Sequence, residues 1–248
     1  MIPSLPQLYE ACDQTWPAAR RFDDGNWTYR EGQGGGKRVS AATALNDKAP
    51  ADVSTAEAGM AALGQSPLFM IREGEVALDA ALDARGYAII DPVHIYTLPI
   101  EQLTDQAIPR VTAFHLWEPL AIMREIWAQG GIGPERLAVM ARAARKTAIL
   151  SRWNEKPGGV AFAGVHEEVC MVHAVEVLPH QRRMGVAQWM MRRAAFWGRA
   201  QGARHISVLC VDQNESANAL YRALGFTRAG GYHYRYRPDQ PEGISHGR

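Results

Sequence analysis

Val177-Leu-Pro-His-Gln-Arg-Arg-Met-Gly-Val-Ala187 is the stretch that decides the fold. Val177 and Leu178 end an apolar run, Pro179 interrupts it, and a helical pattern begins at Gly185. The turn between them contains Arg182-x-x-Gly185-x-Ala187, whose small residues let a backbone approach a ligand closely. A helix starting here directs its free N–H groups and the positive end of its dipole into the turn. That geometry suits a diphosphate.

Downstream, Gly185 to Gln201 reads as a helix with Val186, Met190, Ala194 and Trp197 on one face. Ile206 to Val211 is an apolar strand, and Asn214 is a helix N-cap. In the next helix Ala217, Leu220, Tyr221 and Leu224 fall at i, i+3, i+4 and i+7, and Gly225 closes it. Phe226 to Arg237 ends in Tyr232, Tyr234 and Tyr236 alternating with His233, Arg235 and Arg237, as a half-exposed strand does. Upstream, residues 147–153, 159–165 and 169–178 read as strands, the first two joined by the turn Asn154-Glu-Lys-Pro-Gly158. Residues 113–129 and 134–144 read as helices.

The N-terminal half repeats part of this pattern. A short helix over 5–12 precedes a hairpin of residues 27–30 and 39–44. A helix over 52–63, a strand over 68–71 and a helix over 75–85 closed by Gly86 come next. An extended segment, Tyr87 to Leu98, is broken by Pro92. Gly86 and Gly225 stand 139 positions apart, and the same offset brings His94 onto His233. This predicts an internal structural repeat. The copy is incomplete: residues 53–64 lack any Arg-x-x-Gly-x-Ala, and Leu82 stands where the second half has Tyr221. Gly32 to Lys37 is a turn rather than a phosphate loop. Arg38 follows the lysine instead of Ser or Thr, and Glu31 stands where the first glycine is needed.

Composition narrows the class. The chain has 248 residues, 47% hydrophobic and 21% charged, with a formal net charge of +1. This is ordinary for a soluble globular protein, and the bulk charge leaves no nucleic-acid footprint. Cys12, Cys170 and Cys210 are far apart and form no CxxC pair, so free core thiols of a cytoplasmic protein and no metal are expected. The N-terminus lacks a secretory pattern, and no apolar run is long enough to span a membrane. Pro238 to Arg248 reads as a loose tail.

Two motifs in combination resemble the GNAT superfamily of N-acetyltransferases. One is the strand, turn and helix with Arg182-x-x-Gly185-x-Ala187. The other is Asn214-x-x-Ala217-x-x-Leu220-Tyr221-x-x-Leu224-Gly225-Phe226. The resemblance covers residues 111–237. It implies a mixed α/β fold, a mostly antiparallel central sheet flanked by helices, with residues 111–240 as the catalytic domain. Residues 1–105 resemble the degenerate first lobe of tandem members, with Trp16-Pro17 and the Arg-Gly-Tyr helix end. They lack the cofactor turn and are expected not to bind acetyl-CoA. Residues 241–248 are the tail.

The resemblance also implies roles. The backbones of Arg182, Arg183, Met184, Gly185, Val186 and Ala187 would bind the diphosphate of CoA. Val175 and Val177 would hold the pantetheine arm on a strand splayed from its neighbour, with Asn214 helping. Tyr221, protonated at neutral pH, would donate a proton to the departing thiolate. Period-two alternation puts His173 on the face of Val175 and Val177, nine residues before Arg182, as in arylalkylamine N-acetyltransferases. It is the first candidate for general base. Glu167 and Glu168 follow, because family members often place a carboxylate early on this strand, whereas alternation turns Glu176 to the opposite face. The expected reaction is direct attack of a small-molecule or amino-acid-like amine on acetyl-CoA, the oxyanion held by an N–H near Val175. Neither Cys170 nor Cys210 has a nucleophile's surroundings, which disfavours an acyl-cysteine route. A non-catalytic CoA-binding or interaction protein of the same fold is the alternative, and a homodimer is left open.

Overall fold

The computed structural model describes residues 2–238, so the expected tail over 241–248 lies outside the described residues. In chain order the elements are α1 (Leu5–Thr15), β1 (Arg20–Asp24), β2 (Trp27–Glu31), β3 (Thr43–Ala44), α2 (Val53–Ala62), β4 (Leu68–Arg72), α3 (Val76–Asp83) and β5 (Ala88–Pro99). There follow β6 (Ala113–Leu116), α4 (Ala121–Gln129), α5 (Pro134–Arg142), β7 (Lys146–Trp153), β8 (Lys156–His166), β9 (Val169–Val177), α6 (Val186–Ala200), β10 (His205–Val211), α7 (Glu215–Ala223) and β11 (Thr227–Tyr236). Most follow the periodicities. Gly86 and Gly225, at φ of 80° and 89°, end α3 and α7 in the left-handed conformation expected of them.

Three expectations are corrected. Residues 113–129 are not one helix: Ala113–Leu116 is an edge strand paired with β7, and Pro119 separates it from α4. Pro favours an extended residue before it, so the helix starts only beyond it. Pro92 does not break β5. Asp91 takes φ of 46°, the register against β11 shifts there, and the bulge accommodates a residue that has no N–H to pair. Arg20–Asp24 also forms a strand, pairing with β2, although its charge hid it.

Eight strands form one sheet in the order β4-β11-β5-β10-β9-β8-β7-β6. The two halves exchange strands within it. β5 lies between β10 and β11, while β11 lies between β4 and β5. Each half thus inserts its last strand into the other. Two histidines mark the exchange: His94 contacts Asp212 and His233 contacts Asp79, each at 2.8 Å. The predicted repeat is therefore a reciprocal strand arrangement within one sheet.

The two faces of the sheet carry different helices. α6 and α7 cover one face, where Val186, Met190, Ala194 and Tyr221 pack with Val172, Ile206 and Val208. α4 and α5 cover the other, where Trp127, Val139 and Met140 pack with Phe162 and with Trp16 from the end of α1. Among the described residues no helix is long and apolar enough to cross a membrane.

Gly198 sets how closely α6 lies on the sheet. A Cβ there would stand 2.6 Å from the Cβ of Cys170 and 2.7 Å from its Sγ. Alanine is intrinsically the better helix former by about 1 kcal/mol. Gly198→Ala is nevertheless expected to lower stability by about 1–3 kcal/mol through overpacking. A urea unfolding midpoint at or above that of the wild type would contradict this packing.

Candidate functional site

The site begins where β9 and β10 part. Their parallel pairing runs from His205↔Val169 to Val208↔Val172 and stops. Beyond it β9 pairs only with β8. The Leu178 N–H donates to the Gly158 carbonyl at 2.9 Å. By alternation, the backbone groups of Val177 and Val175 face the open side. Arg182 Nε reaches the Val177 carbonyl from there at 3.3 Å. The splay expected around Val175 and Val177 is present.

A bulge follows directly after the last paired residue. Ala174 has φ of 51°, and the register with β8 shifts between Val160 and Phe162. The Trp127 indole N–H donates to the Ala174 carbonyl at 2.8 Å and holds it. An extra residue reverses the alternation beyond it. Val172, Val175 and Val177 therefore share the α6 face, while Ala174 packs on the α4 side. Glu176 also lies on the α4 side, where a Cβ at Gly130 would meet its Cδ at 2.5 Å.

The turn before α6 has the geometry of an anion nest. Arg183 and Gly185 take φ of 62° and 77°. Among the described residues, no hydrogen-bond acceptor meets the backbone N–H groups of Arg183, Met184, Gly185, Val186, Ala187 or Gln188. The next amide, of Trp189, bonds the Gly185 carbonyl at 3.1 Å. Successive free donors at a helix N-terminus bind anionic oxygen. Val186 is buried in the core, while Arg182, Arg183 and Met184 are exposed around the turn. The donor set therefore fits a diphosphate.

Tyr221 lies under the splay, 4% exposed, packed against Tyr96 and Phe226. Its hydroxyl has no hydrogen-bond partner among the described residues, so it is free to donate to a ligand. Burial, with a smaller contribution from Cys210, pushes its pKa up and keeps it protonated. Asn214 is exposed and caps α7, accepting from the Ala217 N–H at 3.1 Å. Sequence reasoning missed Asn218. Its amide donates to the carbonyls of Val211, Asp212 and Asn214 and accepts from the Tyr96 hydroxyl at 2.8 Å. It ties α7, the helix that carries Tyr221, to the turn before it.

The base candidates do not gather as alternation predicted. Glu167 and Glu168 form the exposed β8–β9 turn, where Glu168 pairs with Arg204 at 3.2 Å. At about 3.3 Å per residue they stand roughly 25 Å along the strand from Val175, at the paired end of β9. His173 lies before the bulge and so faces away from Val175 and Val177, buried beside Trp16 and Phe162. Its Nε2 is 2.8 Å from Thr15 Oγ1, and Thr15 already donates to the Ala11 carbonyl at 2.6 Å. Nε2 must therefore carry the hydrogen. Nδ1, at 3.0 Å from Arg38 Nη1, uses its lone pair to accept from the guanidinium. Burial, then Arg38, drives the imidazole pKa well below its usual value.

Glu176 is the carboxylate that the bulge brings to this face. Burial raises its pKa, with Arg182 and Arg136 pulling the other way. Two open clefts between the N-terminal half and β11, about 530 Å³ beside Glu57, Gln65 and Arg237 and about 300 Å³ beside Glu73, His94 and Arg228, touch none of these residues. Among the described residues no group of three or more His, Cys, Asp or Glu converges as for a metal ion.

The neutral His173 predicts a pH dependence. Below about pH 6.5 the unfolded chain protonates this histidine and the native state does not, so stability falls as pH falls. The loss from this one group is up to about 1.4 kcal/mol per pH unit. His115 and His205 are also shifted down, both first by burial, so the comparison is made with His173→Gln. Urea unfolding at pH 6.5 and 5.5 should show the steeper loss in the wild type. Equal losses would mean that His173 titrates as a solvated histidine.

Residues 118–226 match the profile of the Acetyltransferase (GNAT) family. No curated protein sequence matches the chain. Solved structures share its fold. A GCN5-related N-acetyltransferase from Kribbella flavida superposes with a TM-score of 0.72 at 18% identity, covering 96% of this chain and 98% of that one. A conserved protein of unknown function from Staphylococcus epidermidis gives 0.66 at 11% identity, over 91% and 96%. A tandem GNAT protein from the clavulanic acid biosynthesis pathway gives 0.62 at 10% identity, over 81% and 76%. Residues 118–226 thus match the GNAT acetyltransferase family, and the chain as a whole shares the fold of these solved structures, a tandem GNAT protein among them.

Proposed function

We propose that the protein transfers an acetyl group from acetyl-CoA to the amine of a small molecule or an amino-acid-like substrate by direct attack. The observation that carries this reading is the run of free N–H groups from Arg183 to Gln188 next to a strand splayed beyond Val172. The run offers the diphosphate its donors, and Val175 and Val177 offer the amide-bearing arm its partners. The N–H of Val175 polarises the thioester carbonyl and holds the oxyanion. Tyr221 donates its proton to the departing sulfur. Arg182, Arg183 and Met184 line the turn, Val186 and Ala187 start the helix close to it, and Asn214 caps the helix that carries Tyr221.

Glu176 is the general base in this reading. A partly buried carboxylate of raised pKa is a better proton acceptor than a free one, and it lies one residue beyond Val175. His173 instead positions Arg38, since its lone pair is engaged. The N-terminal half, residues 1–105, supplies no second cofactor site. The helix before β4 is α2, and its N-terminus carries Asp52, whose carboxylate accepts from Asn26 at 3.0 Å. A fixed negative charge there repels a phosphate.

Tyr221→Phe is expected to lower kcat by at least about 100-fold while leaving the Kd for CoA nearly unchanged. Gly185→Glu places bulk and negative charge in the nest and should abolish the rise in melting temperature that CoA produces. Unaltered CoA binding in that variant would remove the site. Wild-type protein that binds CoA yet acetylates none of a broad amine panel would instead favour the non-catalytic alternative. Glu176→Gln is expected to reduce kcat/KM by about 100-fold. Full activity in this variant would leave proton removal to water.

A further inference from the structure

On the face of the sheet away from α6, two arginines converge, and among the described residues neither has a carboxylate within ion-pair distance, Glu176 lying near Arg136 without pairing with it. Arg38 stands in a short 3-10 turn after β2, and Arg136 in the first turn of α5. Neither forms an ion pair among the described residues, although most of the other partly buried arginines and lysines of this chain do. Arg38 Nε is fully buried and has no acceptor. Its guanidinium is held on two sides, Nη1 by His173 Nδ1 at 3.0 Å and its face by the Trp16 ring at 5.6 Å, with Tyr232 and Tyr234 nearby. Arg136 lies close to Arg38, Glu176 and Tyr234, and its guanidinium nitrogens pack 3.4 Å from where a Cβ of Gly36 would be.

This arrangement is costly without an occupant. Two like charges face each other in a partly desolvated space, and one buried N–H is unsatisfied. An oxyanion would neutralise both cations, accept from Arg38 Nε, and use the bidentate geometry that guanidinium groups offer. The cluster borders Glu176, hence the open side of the splay at Val175.

We infer that Arg38 and Arg136 form the recognition site for a carboxylate on the acceptor, so that the amine substrate is an amino carboxylate. This rests on the acetyltransferase reading above and adds the substrate class. The N-terminal half contributes the specificity: Arg38, Trp16 and Thr15 come from it, and His173 is a positioning residue that orients Arg38. An acceptor held by its carboxylate presents its amine toward Glu176.

The test uses full-length protein saturated with CoA or acetyl-CoA. The panel comprises the amino acids and the ω-amino carboxylates from glycine to 6-aminohexanoate, each with its carboxamide counterpart, and the matching aminoalkyl phosphates. Turnover and calorimetric binding are read separately. The expected result is a carboxylate bound and turned over at least 100-fold better than its carboxamide and better than its phosphate analogue. Arg136→Met should narrow that ratio at least tenfold, and Arg38→Lys should narrow it while the variant stays folded. His173→Gln should raise KM for the carboxylate more than it lowers kcat. Binding of carboxylates over carboxamides with no turnover would uphold the subsite while the transferase reading fails. Turnover of carboxamides as good as that of carboxylates, preference for the phosphates, or no calorimetric binding of any carboxylate would overturn the inference.

Discussion

The bulge at Ala174 is the constraint on which the rest of the site depends. β9 pairs with β10 only as far as Val172, and the left-handed turn of Ala174 follows at once. Trp127, buried between α4 and the sheet, secures it through one hydrogen bond to the carbonyl. One extra residue has two effects. It goes with the loss of pairing that leaves the backbones of Val175 and Val177 without a strand partner on that side, and it shifts Glu176 onto the face of α4 and α5. A regular strand would have turned Glu176 toward α6 and brought His173 to the side of Val175.

The shared sheet gives the N-terminal half a place in this site. Exchange of β5 and β11 binds the halves through backbone ladders rather than side-chain contact alone. Once the exchange is made, α1 lies across β8 and β9, and Thr15 and Trp16 reach His173. Arg38 follows on the same surface. The first half has no Arg-x-x-Gly-x-Ala turn like the one before α6, but its strands complete the sheet and it brings Arg38 beside His173.

Much of this was legible in the chain. Periodicity placed α6, α7 and strands β7 to β10, because each has an uninterrupted apolar face and a clear stop signal. The turn before α6 was legible from Arg182, Gly185 and Ala187, since small residues and a helix start leave donors free whatever surrounds them. The offset of Gly86 and Gly225 revealed the repeat. The reading failed where tertiary pairing overrides local pattern. Ala113–Leu116 is a strand because β7 offers it an edge, and Pro92 stays within β5 because a bulge absorbs it.

Local sequence was enough for the mixed α/β elements, the donor-rich turn before α6 and the position of Tyr221 on an apolar helix face. These depend on contacts within a few residues, on capping and on helical spacing. Only the tertiary structure decided which side of β9 each residue faces, which carboxylate stands near the splay, and that His173 holds Arg38. The physical reason is that strand alternation is exact only while the backbone stays regular. A single left-handed residue, fixed by an indole from a helix about fifty positions away, inverts every side chain after it.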